Sequence, residues 1–128
     1  QNTLMVFRNN VKNENFTANV NILKNNLLTP KETLEYAKEV INRQKTGLYN
    51  YLEIKRDLVK IQIGDKKIDT YLIKFTGKKS AESEMTNFVQ IYGVKGNFAY
   101  TATGATSPKE SGNVVNLIEE TIKSFSLK

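Results

Sequence analysis

The stretch VKIQIGDKKIDTYLIKF, residues 59–75, determines the predicted fold. In its first half, Val59, Ile61 and Ile63 alternate with polar residues at a period of two, which is typical of a half-buried β-strand. A turn signal follows at Gly64, and hydrophobic residues resume after it. The sequence therefore predicts a β-hairpin whose second strand is apolar on both faces.

Strand patterns extend outward from this hairpin in both directions. The first hairpin strand is preceded by Leu52 and Ile54, so residues 52–63 form either one long strand or two strands with a bend. Four further strands are predicted, at residues 4–7, 16–22, 85–92 and 98–103.

Two helix-start signals interrupt the strands. In the first, Thr29 is placed as the capping residue, Pro30 as the first helical residue and Glu32 at the third position, so a helix is expected to begin at Pro30. Its apolar stripe comprises Leu34, Ala37, Val40, Ile41 and Leu48, and Gly47 is its expected C-terminal cap.

A second signal, at residues 107–110, has the same pattern and predicts a terminal helix. The apolar residues of that helix are Val114, Val115, Leu117, Ile118, Ile122 and Phe125. The order strand-strand-helix-strand-strand-strand-strand-helix lacks regular βα alternation. It favours an α+β fold with an antiparallel sheet covered by two helices.

Length and composition limit the possible functions. At 128 residues and 39% apolar composition, residues 1–128 are expected to form a single domain. The sequence contains no Cys and no His, which excludes Cys/His zinc sites, thiol nucleophiles and imidazole-based triads. No carboxylate, Lys or Tyr pairing has a recognisable catalytic pattern. We therefore predict a protein that is not an enzyme and needs no metal or cofactor.

Positive charge is concentrated in one region. The net charge is +6, and residues 55–79 carry eight basic against three acidic side chains, or +5. This region is either a docking surface for an anionic partner or a solvated sheet edge protected by lysines. The candidate binding residues are Lys55, Arg56, Lys60, Lys66, Lys67 and Lys74, together with the tyrosines expected to be most exposed, Tyr49 and Tyr51.

The sequence also resembles a known family. The segment NFTANVNI, residues 15–22, followed by a helix that carries LEYA, resembles the start of PsbP-like domains, which include bacterial DcrB-like lipoproteins. The hairpin of residues 59–76 and the strand at 98–103 are similar to later parts of that family. The resemblance implies an antiparallel sheet between helices, an α-β-α sandwich, with no catalytic motif to carry over. The family's opening Trp-containing stretch has no counterpart here, so it is either missing or represented by residues 4–7.

The combined expectation is a non-catalytic, extracytoplasmic binding or assembly module, the soluble part of a bacterial lipoprotein anchored through an upstream lipid signal or secreted. Its expected partner is a protein or an anionic component of the cell envelope. The alternative is an intracellular chaperone or adaptor for a protein client. Specific nucleic-acid binding is not expected because no recognition motif accompanies the charge. No apolar run is long enough to span a bilayer.

Overall fold

A computed structural model describes residues 2–13 and 16–128. The elements follow the predicted order: β1 (Asn2–Asn13), β2 (Phe16–Asn26), α1 (Thr33–Gly47), β3 (Tyr49–Ile63), β4 (Lys66–Lys78), β5 (Thr86–Lys95), β6 (Phe98–Thr106) and α2 (Gly112–Lys123). Asn15, the first residue of the segment that carries the family resemblance, lies outside the described residues.

The strands form one antiparallel sheet in the order β1-β2-β6-β5-β4-β3. The predicted hairpin is confirmed, since Ile61 pairs with Ile68 and Ile63 pairs with Lys66. Gly64 has a φ of +62° in the turn, a conformation that glycine adopts without steric cost. The question of one strand or two is also answered, because β3 is one long strand with an irregularity after Glu53.

The two helices cover opposite faces of the sheet, which confirms the predicted α+β fold and its α-β-α layering. On β4, Ile73 packs with the α1 residues Ala37 and Ile41, whereas its neighbour Leu72 packs with Ile118 of α2. Successive residues of a strand point to opposite faces, so a strand in the middle of this sandwich must be apolar on both. This explains the continuous hydrophobic character of β4.

The predicted start of α1 at Pro30 is wrong. The helix begins at Thr33, after Glu32 in an extended conformation, and no side chain caps it. Thr33 is buried, and its hydroxyl accepts a hydrogen bond from the Val94 N–H at 3.1 Å. A contact with the sheet therefore fixes the start of this helix, and the local capping signal at Thr29 does not.

The apolar stripe of α1 also differs in part from the prediction. Ala37, Val40 and Ile41 are buried as expected, but Tyr36 is buried in place of Leu34, which is half-buried. Gly47 is the last helical residue and not the cap.

The terminal helix starts later than predicted. Ser111 caps it, its hydroxyl accepting the Val114 N–H at 3.4 Å, and the hydroxyl of Ser107 instead accepts the Lys109 N–H within the preceding turn. The chain needs this turn to pass from β6 onto the outer layer. Leu117, which was placed in the apolar stripe, is 55% exposed.

Candidate binding edge and groove

Strand β3 forms one edge of the sheet, and none of the described strands pairs with its outer side. The C-terminal tail contacts this edge near its end. The Leu127 N–H donates to the Gln62 carbonyl at 2.9 Å, and the Gly64 N–H donates to the Leu127 carbonyl at 2.7 Å, which makes a parallel bridge. Gly93 leaves room for the Leu127 side chain, which lies 3.1 Å from where a Cβ would stand.

The tail shows which backbone groups of β3 face outward. Because backbone polar groups in an antiparallel strand alternate between its two sides, the outward direction at Gln62 recurs at Lys60, Leu58 and Arg56. These residues present N–H and C=O groups on the side away from β4. We call residues 52–60 of β3 the open edge.

The open edge carries apolar side chains in solvent. Leu52, Ile54 and Leu58 are 59%, 58% and 62% exposed. Edge strands in monomeric proteins are normally short or charged because an apolar edge pairs readily with another chain. A long edge strand with three exposed aliphatic residues is therefore a candidate interaction site.

An apolar groove of about 310 Å³ lies beside the open edge, between α2 and the sheet. Ile54 of β3 forms one side of it, and Val115 and Ile118 of α2 form the other. Its floor is the α2-facing side of β4, β5 and β6, including Val89 and Gly104. We call this cavity the α2 groove.

An ion pair between β4 and α2 neutralises a lysine at the side of the α2 groove. Lys74 pairs with Glu119 of α2 at 2.6 Å, and Lys55 lies opposite Lys74 on the adjacent strand. Glu119 thus relieves the repulsion between two lysines that face each other. The groove consequently has an apolar interior and a charged boundary.

The other face of β3 is held by an aromatic and ionic cluster. Arg56 donates to Glu53 through Nε at 3.1 Å and Nη2 at 2.6 Å, and its guanidinium lies 5.1 Å from the Tyr71 ring. The hydrogen bond to Glu53 raises the pKa of Arg56. Tyr51 stacks on Phe75 at 5.3 Å, and burial followed by the nearby Glu53 carboxylate raises the Tyr51 pKa.

The structure does not gather the predicted basic residues into one patch. Lys55 and Lys74 lie on the α2 face. Arg56 and Lys60 lie on the α1 face, because cross-strand partners point to the same face and these two residues pair with Ile73 and Asp69 of β4. Lys66 and Lys67 are exposed at the hairpin tip. The eight predicted binding residues are thus divided among both faces and the tip.

The tyrosine prediction is half correct. Tyr49 is 53% exposed, whereas Tyr51 is half-buried in its stack with Phe75, because it belongs to the β3 face that packs towards α1. The sequence pattern does not identify Ile54 and Leu58 as site residues: it places Ile54 in a strand and assigns no role to Leu58. Exposure could not be deduced from that pattern, because it depends on β3 being the last strand of the sheet.

A second cavity, of about 320 Å³, lies under α1 and has a larger polar share of its lining than the α2 groove. Gln90 at its base donates to Gln44 at 2.6 Å and to Thr103 at 3.0 Å, and it accepts a hydrogen bond from Tyr92 at 2.6 Å. The side-chain nitrogen of Gln44 is buried without a hydrogen-bond partner among the described residues. Most polar groups here bind one another, so this cavity is the weaker candidate.

Comparison with known proteins supports the fold alone. No protein-family model and no curated protein matches the chain. The structure is similar to that of PA94, a Pseudomonas aeruginosa protein of unknown function for which a regulatory role has been suggested, with a TM-score of 0.77 and 12% sequence identity. The similarity covers all of this chain and 84% of PA94. The resemblance to PsbP-like domains stays a prediction.

Two further properties concern chemistry and membranes. Within the described part of the chain, no three acidic side chains cluster in a way that could hold a metal ion. Neither described helix combines the length and the apolar character that a membrane span requires.

Proposed function

We propose that this chain is a non-catalytic binding or assembly module that takes up part of a partner protein at the α2 groove and the adjoining open edge. The observation that carries this proposal is the continuity of the two features. Ile54 belongs to both, so an apolar side chain of a partner that enters the groove also lies beside the open edge.

A protein partner fits this site better than a small molecule. Groups that orient a small ligand are convergent polar side chains in a pocket, and the α2 groove offers mainly aliphatic and aromatic surface. Exposed apolar surface beside an edge strand is instead typical of peptide and protein recognition. The partner's apolar side chain supplies affinity by leaving water.

The proposed setting is extracytoplasmic, with this chain as the soluble part of a bacterial lipoprotein. This part of the proposal rests on the resemblance of residues 15–22 and of the central hairpin to DcrB-like lipoproteins. The alternative, an intracellular chaperone or adaptor, is favoured by the same exposed aliphatic residues, which also suit an unfolded client. The compartment in which a partner is captured distinguishes the two.

Site-specific photo-cross-linking in cells of the source organism tests the proposal. A photoreactive amino acid placed at Ile54 is expected to capture a discrete partner protein, which mass spectrometry then identifies. The matched control carries the same group at Leu28, which is fully exposed but distant in sequence from the edge and does not line the groove. The substitution Val115→Glu puts a charge in the groove, and it is expected to abolish capture by the photoreactive group at Ile54.

Equal capture from both positions, or capture that persists in Val115→Glu, would contradict the proposal. Thermal unfolding of the variant guards against misfolding, and Val115 is suitable because it is only half-buried. Capture of an envelope protein supports the extracytoplasmic module. Capture of many nascent or unfolded cytosolic chains supports the chaperone alternative.

A further inference from the structure

We propose that the open edge binds an extended, acidic segment of the partner protein, which adds a further strand to the sheet next to β3. This inference rests on the proposed function and specifies its binding mode. The added strand would pair with the backbone of residues 56–60 and place alternate side chains towards the α2 groove.

The outer side of β3 already forms one backbone bridge, to a residue of the C-terminal tail. Leu127 pairs with Ile63 through two short hydrogen bonds on the outer side of β3. The next outward-facing residues along the same line, Lys60, Leu58 and Arg56, repeat that geometry. Pairing there would extend an existing contact and would need no rearrangement of the sheet.

The charge of the region selects the chemistry of the segment. Lys55 and Lys60 are each 61% exposed at the side chain, and the Asp57 and Asp69 carboxylates with which they form ion pairs are partly exposed. Lys66 and Lys67 lie at the adjoining hairpin tip. The open edge and the tip together, residues 53–67, carry five basic against three acidic side chains, or +2, so an acidic strand is attracted and a basic strand is repelled.

A second copy of this chain fits the open edge poorly. Antiparallel β3–β3 pairing centred on Leu58 sets Arg56 opposite Lys60 of the second copy, and pairing centred on Asp57 sets two carboxylates against each other. Like charges directly opposite are destabilising. Registers further along meet the C-terminal tail at Gln62. The edge is therefore better suited to a different, acidic chain.

Side-chain alternation defines the segment further. On the α2 side the added strand would run beside Val59 and Asp57 towards Ile54 and the groove, so apolar side chains are expected next to Val59 and Ile54. Those on the other side would lie next to Arg56, Leu58 and Lys60, and the two basic side chains of this row suit acidic neighbours. The expected segment thus alternates apolar and acidic residues.

A short synthetic peptide in which valine alternates with glutamate is the probe. We expect it to bind the wild-type chain, to weaken as salt is raised, and to protect the amides of Arg56, Leu58 and Lys60 from hydrogen exchange. The control peptides are the same sequence with lysine in place of glutamate, and the glutamate peptide with alternate backbone nitrogens methylated. Neither control is expected to bind.

The variant Leu58→Pro removes an outward-facing N–H while leaving the hydrogen bonds to β4 in place, a position at which edge strands accept proline. We expect it to weaken peptide binding by about tenfold, which corresponds to about 1.4 kcal/mol. Leu58→Thr keeps the N–H and is expected to weaken binding by less than about threefold, since it removes only part of an exposed apolar surface.

The outcomes separate this inference from the proposed function. Absence of amide protection in the wild-type chain, or equal binding of the lysine peptide, overturns the strand-addition mode. If Ile54 still captures a partner by photo-cross-linking, the binding function stands and only its mode is wrong. If capture fails as well, the proposed function fails too.

Discussion

The two faces of the sheet are closed in different ways. Under α1, buried polar side chains bind one another, with Gln90 joining Tyr92, Thr103 and Gln44. Under α2, the packing is aliphatic, built on Ile118 and its neighbours, and the α2 groove remains open at the β3 edge. Both faces hold a cavity of similar volume, but the polar groups of the one under α1 bind one another, whereas the apolar α2 groove can receive a partner.

The strongest way to break the α2 side is to fill the space left by Gly104. A Cβ at this position would stand 2.3 Å from Ile118 and 3.1 Å from Val89, so α2 would have to move away from the sheet. We expect Gly104→Ala to lower the free energy of unfolding by about 2–3 kcal/mol, as overpacked cores do. Urea denaturation followed by circular dichroism measures this loss.

The matched control for this change is Gly47→Ala, at the end of α1. No atom lies within 4 Å of the added Cβ there, and the residue is helical. Alanine is expected to raise the stability by up to about 1 kcal/mol because it reduces the freedom of the unfolded chain. If Gly104→Ala proved as harmless as this control, the close approach of α2 to β6 would be wrong.

On the α1 side, the corresponding break is Tyr92→Phe. Tyr92 is fully buried, and removal of its hydroxyl leaves the Gln90 oxygen without its donor. We expect a loss of about 1–2 kcal/mol, the cost of an unsatisfied buried polar group. Tyr100→Phe, at a half-buried tyrosine, serves as control and is expected to change stability by less than about 0.5 kcal/mol.

The variant Tyr92→Phe also tests the burial of the α1 side through the pH dependence of stability. Burial raises the pKa of Tyr92 well above its ordinary value of 10.0. A group whose pKa is higher in the folded state contributes stability below its unfolded pKa and loses it as the pH rises above that value. Because the unfolded tyrosine is half ionised at pH 10 and mostly ionised at pH 11, the wild-type chain is expected to lose about 1 kcal/mol more than Tyr92→Phe over that range. If the free energies of unfolding of the two proteins changed equally with pH over that range, the Tyr92 hydroxyl would not be buried.

The sequence predicts the strands and helices that form the two faces of the sheet, but not the open edge that distinguishes one side from the other. Period-two patterns, one short apolar run at residues 4–7 and turn glycines predict all six strands and the hairpin at Gly64, because these signals are local. The predicted start of α1 is wrong because a tertiary contact, from Thr33 to β5, outweighs the local signal at Thr29, whereas α2 begins at a different local cap, Ser111. The open edge could not be predicted, since the exposure of Ile54 and Leu58 depends on strand order.

The smallest expected effect concerns the charged boundary of the α2 groove. Lys74 and Glu119 are partly shielded from solvent, with side-chain exposures of 35% and 21%, whereas Lys60 and Asp69 form a pair of similar length at 61% and 47%. A double-mutant cycle of Lys74→Met and Glu119→Gln is expected to give a coupling of about 0.5–1 kcal/mol, reduced by solvent screening. The corresponding cycle at Lys60 and Asp69 is expected to give less than about 0.5 kcal/mol and to vanish in high salt. If the exposed pair coupled more strongly than the pair at the groove, α2 would not be anchored to β4 by charge, and packing at Ile118 alone would hold that side of the groove.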